Sequence, residues 1–89
     1  MEFERDRPKH LRNLATRGFG FDYASGVLEQ ATIEWPDKRR DYGEVRTCAL
    51  GQVGPDVMVV VYTRRGSVTR IISARPANRK ERQRWQLRE

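Results

Sequence analysis

The sequence is poor in the residues that build metal sites and covalent staples. Cys48 is its single cysteine, which excludes an internal disulfide. His10 is its single histidine, so there is no set of thiolates and imidazoles at ligand spacing, and neither a metal site nor a cofactor is expected. No apolar run approaches the ~20 residues of a membrane span. The opening MEFERDRPKH is charged throughout, so the expectation is neither a signal peptide nor an anchor, no membrane partner, and a cytoplasmic location. Lysine is scarce too. Of eighteen Lys and Arg, set against twelve Asp and Glu for a net +6, only Lys9, Lys38 and Lys80 are lysines. Arginine forks match phosphate oxygens and stay charged, which favours a polyanionic partner, nucleic acid ahead of acidic protein. A soluble basic surface accounts for the composition equally well. With 89 residues the chain is one domain, 1–89, that buries only about 60–65% of its unfolded surface. Its pockets must be shallow, and no small-molecule ligand is expected.

What the chain does have is one stretch able to seed a core, residues 57–75, VMVVVYTRRGSVTRIISAR. Residues 57–63 are an unbroken apolar and β-branched run, the pattern of a strand covered on both faces, and Arg64-Arg65-Gly66-Ser67 supplies a tight turn. Beyond the turn the pattern alternates. Regular pleating puts Val68, Arg70, Ile72 and Ala74 on one face, and Thr69, Ile71, Ser73 and Arg75 on the other.

The rest of the chain falls into place around that hairpin. Phe3 among polar neighbours suits a short edge strand over 1–4. Asp6, Pro8 and Gly18 mark the start and stop of a helix over 7–17, with Leu11, Leu14 and Ala15 on its apolar side. A second helix is expected over 22–30, with Asp22 as its cap and Ala24, Val27 and Leu28 buried. A strand over 31–35 ends at Pro36, and 37–42 is a charged loop. Another strand covers 44–50, and Gly51, Gly54 and Pro55 fit a hairpin loop into the central strand. Pro76 stops the sheet. Asn78, followed three residues later by Glu81, is a capping-box signal for a basic last helix running to about Leu87, with Trp85 and Leu87 as its anchors. The expected arrangement is an antiparallel sheet of at least three strands, with helices against one face.

Several of these stretches together resemble the BrnT family of type II toxin–antitoxin toxins. They are FERDRPKHLRNL followed by Gly18 and Phe21, DYGEVR with Leu50-Gly51, and VVVYTRRG followed by RIISARPA with Glu81-Arg82. The resemblance implies an α+β fold, a small RelE-like domain whose antiparallel β-sheet carries two N-terminal helices and one C-terminal helix. It also implies a metal-independent endoribonuclease that inhibits translation and is neutralised by a cognate BrnA-like antitoxin with a ribbon-helix-helix domain. RNA is then the substrate, and DNA is met only indirectly, through the antitoxin. The chain departs from the family pattern at Arg5-Asp6, where Trp-Asp is usual, and at Thr16-Arg17-Gly18, where Lys-His-Gly is usual. A catalytically weak relative and a plain basic RNA- or DNA-binding module stay open beside the toxin.

Metal-free RNA cleavage needs a base for the ribose 2′-hydroxyl, cations for the phosphorane and an acid for the leaving oxygen. Glu44 and Arg46, at i and i+2 of a strand, would put a carboxylate and a guanidinium on one face, although a structural ion pair has the same spacing. Arg75, on the wetter face of its strand, is the expected phosphate binder; these three are the candidate catalytic set. Arg70 points the other way unless a bulge intervenes, and Arg64 sits at the turn. Lys9, Asn13 and Arg17 form an i, i+4, i+8 row on the first helix, suited to an RNA track or to plain solvation. Trp85 either stacks a base or docks its helix. Cys48 is expected to be a small buried hydrophobe.

Overall fold

The computed structural model describes residues 2–5, 7, 11, 20–39 and 41–88. Five strands form one sheet: β1 (Glu2–Arg5), β2 (Ile33–Pro36), β3 (Thr47–Val53), β4 (Asp56–Arg65) and β5 (Val68–Pro76), in the order β1-β5-β4-β3-β2. The four strands β2 to β5 are antiparallel, and the two tight hairpins around β4 set their registers. One joins β3 to β4 at Gly54-Pro55, the other β4 to β5 at Gly66-Ser67, where Gly66 has φ +63°, a backbone that L side chains rarely adopt. The expected edge strand forms as β1, but it runs parallel to β5, so the sheet is not antiparallel throughout. The chain is thus α+β with a four-strand antiparallel core.

Two helices lie within the described residues, α1 (Phe21–Leu28) and α2 (Arg79–Gln86). The helix expected over 7–17 falls outside them apart from Arg7 and Leu11, which are helical and exposed. Lys9, Asn13 and Arg17 fall outside them as well. α1 starts from Gly20 with no side-chain cap, and Asp22 sits in its first turn instead of capping it.

The helices do not share one face, contrary to expectation. Phe21, Ala24 and Val27 of α1 pack with Met58, Val60, Ile71 and Ala74, while Trp85 of α2 packs with Cys48, Leu50, Val59, Val61 and Ile72 on the opposite side. The run in β4 is apolar at both parities, so each face of the sheet needs its own cover. Cys48 is buried, as a small hydrophobe should be. Of the two expected anchors of α2, Trp85 is 6% exposed and Leu87 is 82% exposed.

Two further departures concern register. β3 begins at Thr47, paired with Tyr62, and Glu44 to Arg46 lie ahead of the ladder although β4 runs on to Arg65. In β5 a bulge breaks the alternation. Val61 faces Ser73 and Tyr62 faces Ile71, so Ile72 is an extra residue. Beyond it Arg75 faces Val59, whereas before it Arg70 faces Thr63. Val59 and Thr63 are four apart on one strand, so Arg70 and Arg75 lie on the same side of the sheet, the side that α2 covers. Thr69, expected beside Arg75, is buried on the α1 side at the register of Arg64.

Gly51 is required by close approach. A Cβ there would lie 2.8 Å from Val27 Cγ1 and 3.1 Å from Thr32 Cγ2, so the Val27 and Thr32 side chains would have to shift. Gly51→Ala is expected to lower the unfolding free energy by about 1–3 kcal/mol, as overpacking does, measured by denaturant titration.

Candidate active site

At the end of the sheet where β3 begins and β4 closes, an open groove of about 600 Å³ is lined by Glu34, Glu44, Val45, Thr47, Tyr62, Thr63, Arg64 and Arg65. A second hollow of about 350 Å³ continues it past Glu44 and Val45 to Tyr42 and Arg46. The segment ahead of β3 is pinned at two points. The Thr63 hydroxyl donates to the Val45 carbonyl at 2.7 Å, and the Asp37 amide donates to the Arg46 carbonyl at 2.8 Å. These bonds do for Glu44 and Arg46 what the expected strand would have done.

Glu44 and Arg46 do come together. Glu44 stands between two guanidiniums, with Oε1 at 3.6 Å from Arg46 Nε and Oε2 at 3.5 Å from Arg65 Nη2. Both separations exceed those of charge-assisted hydrogen bonds, about 2.7–2.9 Å. The Arg46 guanidinium lies 3.8 Å from the centroid of the Tyr42 ring, and its Nε is buried without a hydrogen-bond partner. On the side of the sheet that α1 covers, the Tyr62 hydroxyl donates to both oxygens of Glu34, at 3.0 and 3.1 Å, and Arg64 lies 5.8 Å from the Tyr62 ring centroid. Burial, followed by the Glu34 contact, pushes the Tyr62 phenol above its ordinary value.

Arg75 is elsewhere. Its fork meets Glu81 at 2.6 and 2.9 Å, and Glu81 also accepts from the Asn78 amide while the Asn78 side chain accepts from the Glu81 amide. This completes the expected capping box and ties the start of α2 to β5. Arg75 faces Val59, six residues along β4 from Arg65, a separation of roughly 20 Å in a strand. Arg70, half-buried and opposite Thr63, lies nearer the groove. Trp85 donates through Nε1 to Gln52 Oε1 at 3.0 Å, and the Arg88 guanidinium covers its ring at 3.5 Å. Its ring is engaged in docking α2.

Sequence reasoning passed over Tyr62, Glu34, Arg65 and Asp37. A tyrosine inside the apolar run and a glutamate in the alternating 31–35 stretch were the available signals for the first two. The expected solvated loop over 37–42 hides a structural ion pair, because buried Asp37 accepts from Arg39 Nε and Nη2, both at 2.9 Å. These bonds hold the Asp37 carboxyl at about 2. Among the described residues, no three His, Cys, Asp or Glu side chains group as metal ligands, and no helix is long and apolar enough to cross a membrane.

In comparison with known families, a family model described as ribonuclease toxin, BrnT, of type II toxin-antitoxin system fits residues 6–81. No curated protein matches the chain.

The carboxyls of Asp37 and Glu81 both titrate below their ordinary values, each because of its arginine. Groups depressed in the folded state contribute stability above their unfolded pKa and lose it as pH falls through the folded one. For Asp37 that window runs from 3.8 down to about 2. Asp37→Asn is therefore expected to melt below wild type at neutral pH, with the gap closing across that window in thermal scans.

Proposed function

Because the chain belongs to the BrnT family of ribonuclease toxins of type II toxin–antitoxin systems, we propose that it is a metal-independent endoribonuclease that inhibits translation by cutting RNA in the groove at Glu44. A BrnA-like antitoxin with a ribbon-helix-helix domain would silence it by covering that groove. The observation that carries this reading is the half-buried Glu44 carboxylate standing between Arg46 and Arg65 where it lines the groove. A base and two phosphate-binding cations then meet at one point, as 2′-hydroxyl attack on phosphorus demands. A bound phosphate would take over the two guanidiniums, and their long contacts to Glu44 make that exchange cheap. The carboxylate so released accepts the 2′-hydroxyl proton, and the arginines neutralise the charge that builds on the phosphorane oxygens.

The bulge in β5 supports an extended track for the RNA backbone, since it leaves Arg70 and Arg75 on the side of the sheet that also carries Arg65. Arg75 then contributes as a distant backbone contact, with the cleavage chemistry left to Glu44, Arg46 and Arg65. RNA as substrate places the work in the cytoplasm. An acidic segment of the antitoxin would gain charge-assisted hydrogen bonds to the same arginines, and its binding should weaken as salt screens it.

The purified protein is expected to cut RNA in EDTA, leaving 2′,3′-cyclic phosphate ends, with Glu44→Gln slower by roughly 10²–10⁴-fold. Cutting that appears only on adding Mg²⁺ would sink the mechanism, and salt-dependent RNA binding without any cutting would favour the plain binding module. Induction of the chain alone should arrest growth, and co-expression with the neighbouring reading frame should relieve it. Antitoxin affinity should fall in Arg46→Ala and Arg65→Ala and should fall with salt for wild type. Salt-independent affinity equal in all three would place the antitoxin away from the groove.

A further inference from the structure

α2 and the two residues after it carry the cations Arg79, Lys80, Arg82, Arg84 and Arg88 against a single acid, Glu81, which Arg75 of the sheet takes in a bidentate pair. All of these cations are exposed. Three of them are also held in place, and by neutral groups. Arg82 donates to the Ala77 carbonyl at 2.7 Å, Arg84 lies 5.3 Å over the Trp35 ring, and Arg88 donates to the Trp85 carbonyl while covering the Trp85 ring. Among the described residues no carboxylate pairs with any cation of this helix. A guanidinium ordered by a carbonyl or an aromatic ring keeps its full charge, and part of the entropy cost of fixing it on a ligand is already met.

We propose that the flank of α2 formed by Lys80, Arg84 and Arg88 is a second RNA-binding site, a row of phosphate contacts for single-stranded RNA leaving the groove at Glu44. This rests on the reading of RNA as the substrate and extends it beyond the cut.

Position and spacing select the ligand. Lys80, Arg84 and Arg88 recur at every fourth residue, which puts them on one flank of the helix at steps of about 6 Å along its axis. Successive phosphates of an extended RNA strand repeat at a similar distance, whereas the carboxylates of an acidic peptide have no fixed repeat. The flank also faces the groove. Arg84 stands over Trp35 of β2, Trp35 pairs with Cys48 and Cys48 with Val61. Thr63 of the groove is two residues further along β4, roughly 7 Å in a strand. This path runs over the side of the sheet that α2 covers, where Glu44, Arg46 and Arg65 also stand. The ground between is basic too. The Asp37 amide bonds to the Arg46 carbonyl, which sets Arg39, 74% exposed, on the way from Arg46 to Trp35. Burial raises the Cys48 thiol, and Asp37, Arg39, Arg75 and Glu81 all act on it, so the loop pair and the α2 pair meet over one buried residue. Both carboxylates on this path are taken by arginine forks, Asp37 by Arg39 and Glu81 by Arg75, so neither meets the strand with free charge.

The probe is a single-stranded oligoribonucleotide methylated at every 2′-oxygen, which binds without being cut, in a long form and as a trimer that fills the groove alone. For single strands each phosphate contact contributes about 0.7 to the slope of log affinity against log salt. On the long form Lys80→Gln is expected to lower that slope by about 0.7, and Lys80→Gln combined with Arg84→Gln by about 1.4. Binding of the trimer should not change. Arg84→Lys keeps the charge and should keep the slope, which separates a phosphate contact from packing on Trp35. Arg79→Gln removes the same charge about 100° around the helix from Lys80 and should leave the slope as in wild type. On cleavable RNA of the long form the double variant should raise KM and leave kcat unchanged. A double variant with the wild-type slope, or an equal fall in Arg79→Gln, would overturn the site, the latter by showing that only net charge matters. Loss of antitoxin affinity in the double variant with its RNA slope unchanged would overturn it as well and give the flank to the antitoxin. Wild type that binds the long form with the expected slopes but does not cut RNA would sink the Glu44 reading and leave this site standing.

Discussion

Everything in this protein hangs from β4, a strand apolar at both parities and hydrogen-bonded on both edges. Two tight turns set its ladders, one through Gly54-Pro55 and one through Gly66-Ser67, so β3 and β5 can pair with it in only one register. A strand with Met58 and Val60 on one side and Val59 and Val61 on the other cannot be half-solvated, and each face recruits a helix. α1 and α2 are short, eight residues each, and neither would hold as an isolated helix. Their existence follows from the sheet's need for cover.

α2 has one buried side chain and a run of charges, so burial alone gives it little hold. Arg75 joins it to the sheet through Glu81, and Glu81 in turn closes the capping box with Asn78. Trp85 completes the attachment by packing under α2 and hydrogen-bonding to Gln52 on β3, with Arg88 folded over its outer face. Arg84 lies 5.3 Å over the ring of Trp35 on β2, so the helix reaches across the sheet edge as well. The arginines of this region thus divide their work between holding the helix down and presenting positive charge.

The groove arises where the ladders end. β3 starts three residues later than its hydrophobic alternation suggests, and the segment thus freed carries Glu44 and Arg46 over the end of β4 beside Arg65. Placing them ahead of the ladder opens space that a continuous strand would have filled. On the other face, the β2–β3–β4 registers bring Glu34 of the edge strand β2 within reach of Tyr62, a contact between residues 28 apart in sequence.

The sequence by itself determined the local elements whose signals are complete within a few residues. The apolar run of β4, the two glycine turns, the strand after Gly66 and the Asn78–Glu81 capping box all form where their residues place them, because short-range sterics and hydrogen bonds suffice to define them. The pairing of Glu44 with Arg46 was legible too, though it is achieved in a pinned loop where strand alternation was expected. Tertiary structure decided the rest. Alternation counted along β5 misassigned the faces of Arg75 and Thr69, since a bulge is a property of two strands pairing and one inserted residue inverts every side chain beyond it. The split of the helices between two faces, the parallel edge strand β1, the meeting of Tyr62 with Glu34 and the capture of Arg75 by Glu81 depend on which strand lies beside which. That is fixed only when the whole sheet buries its apolar surface at once.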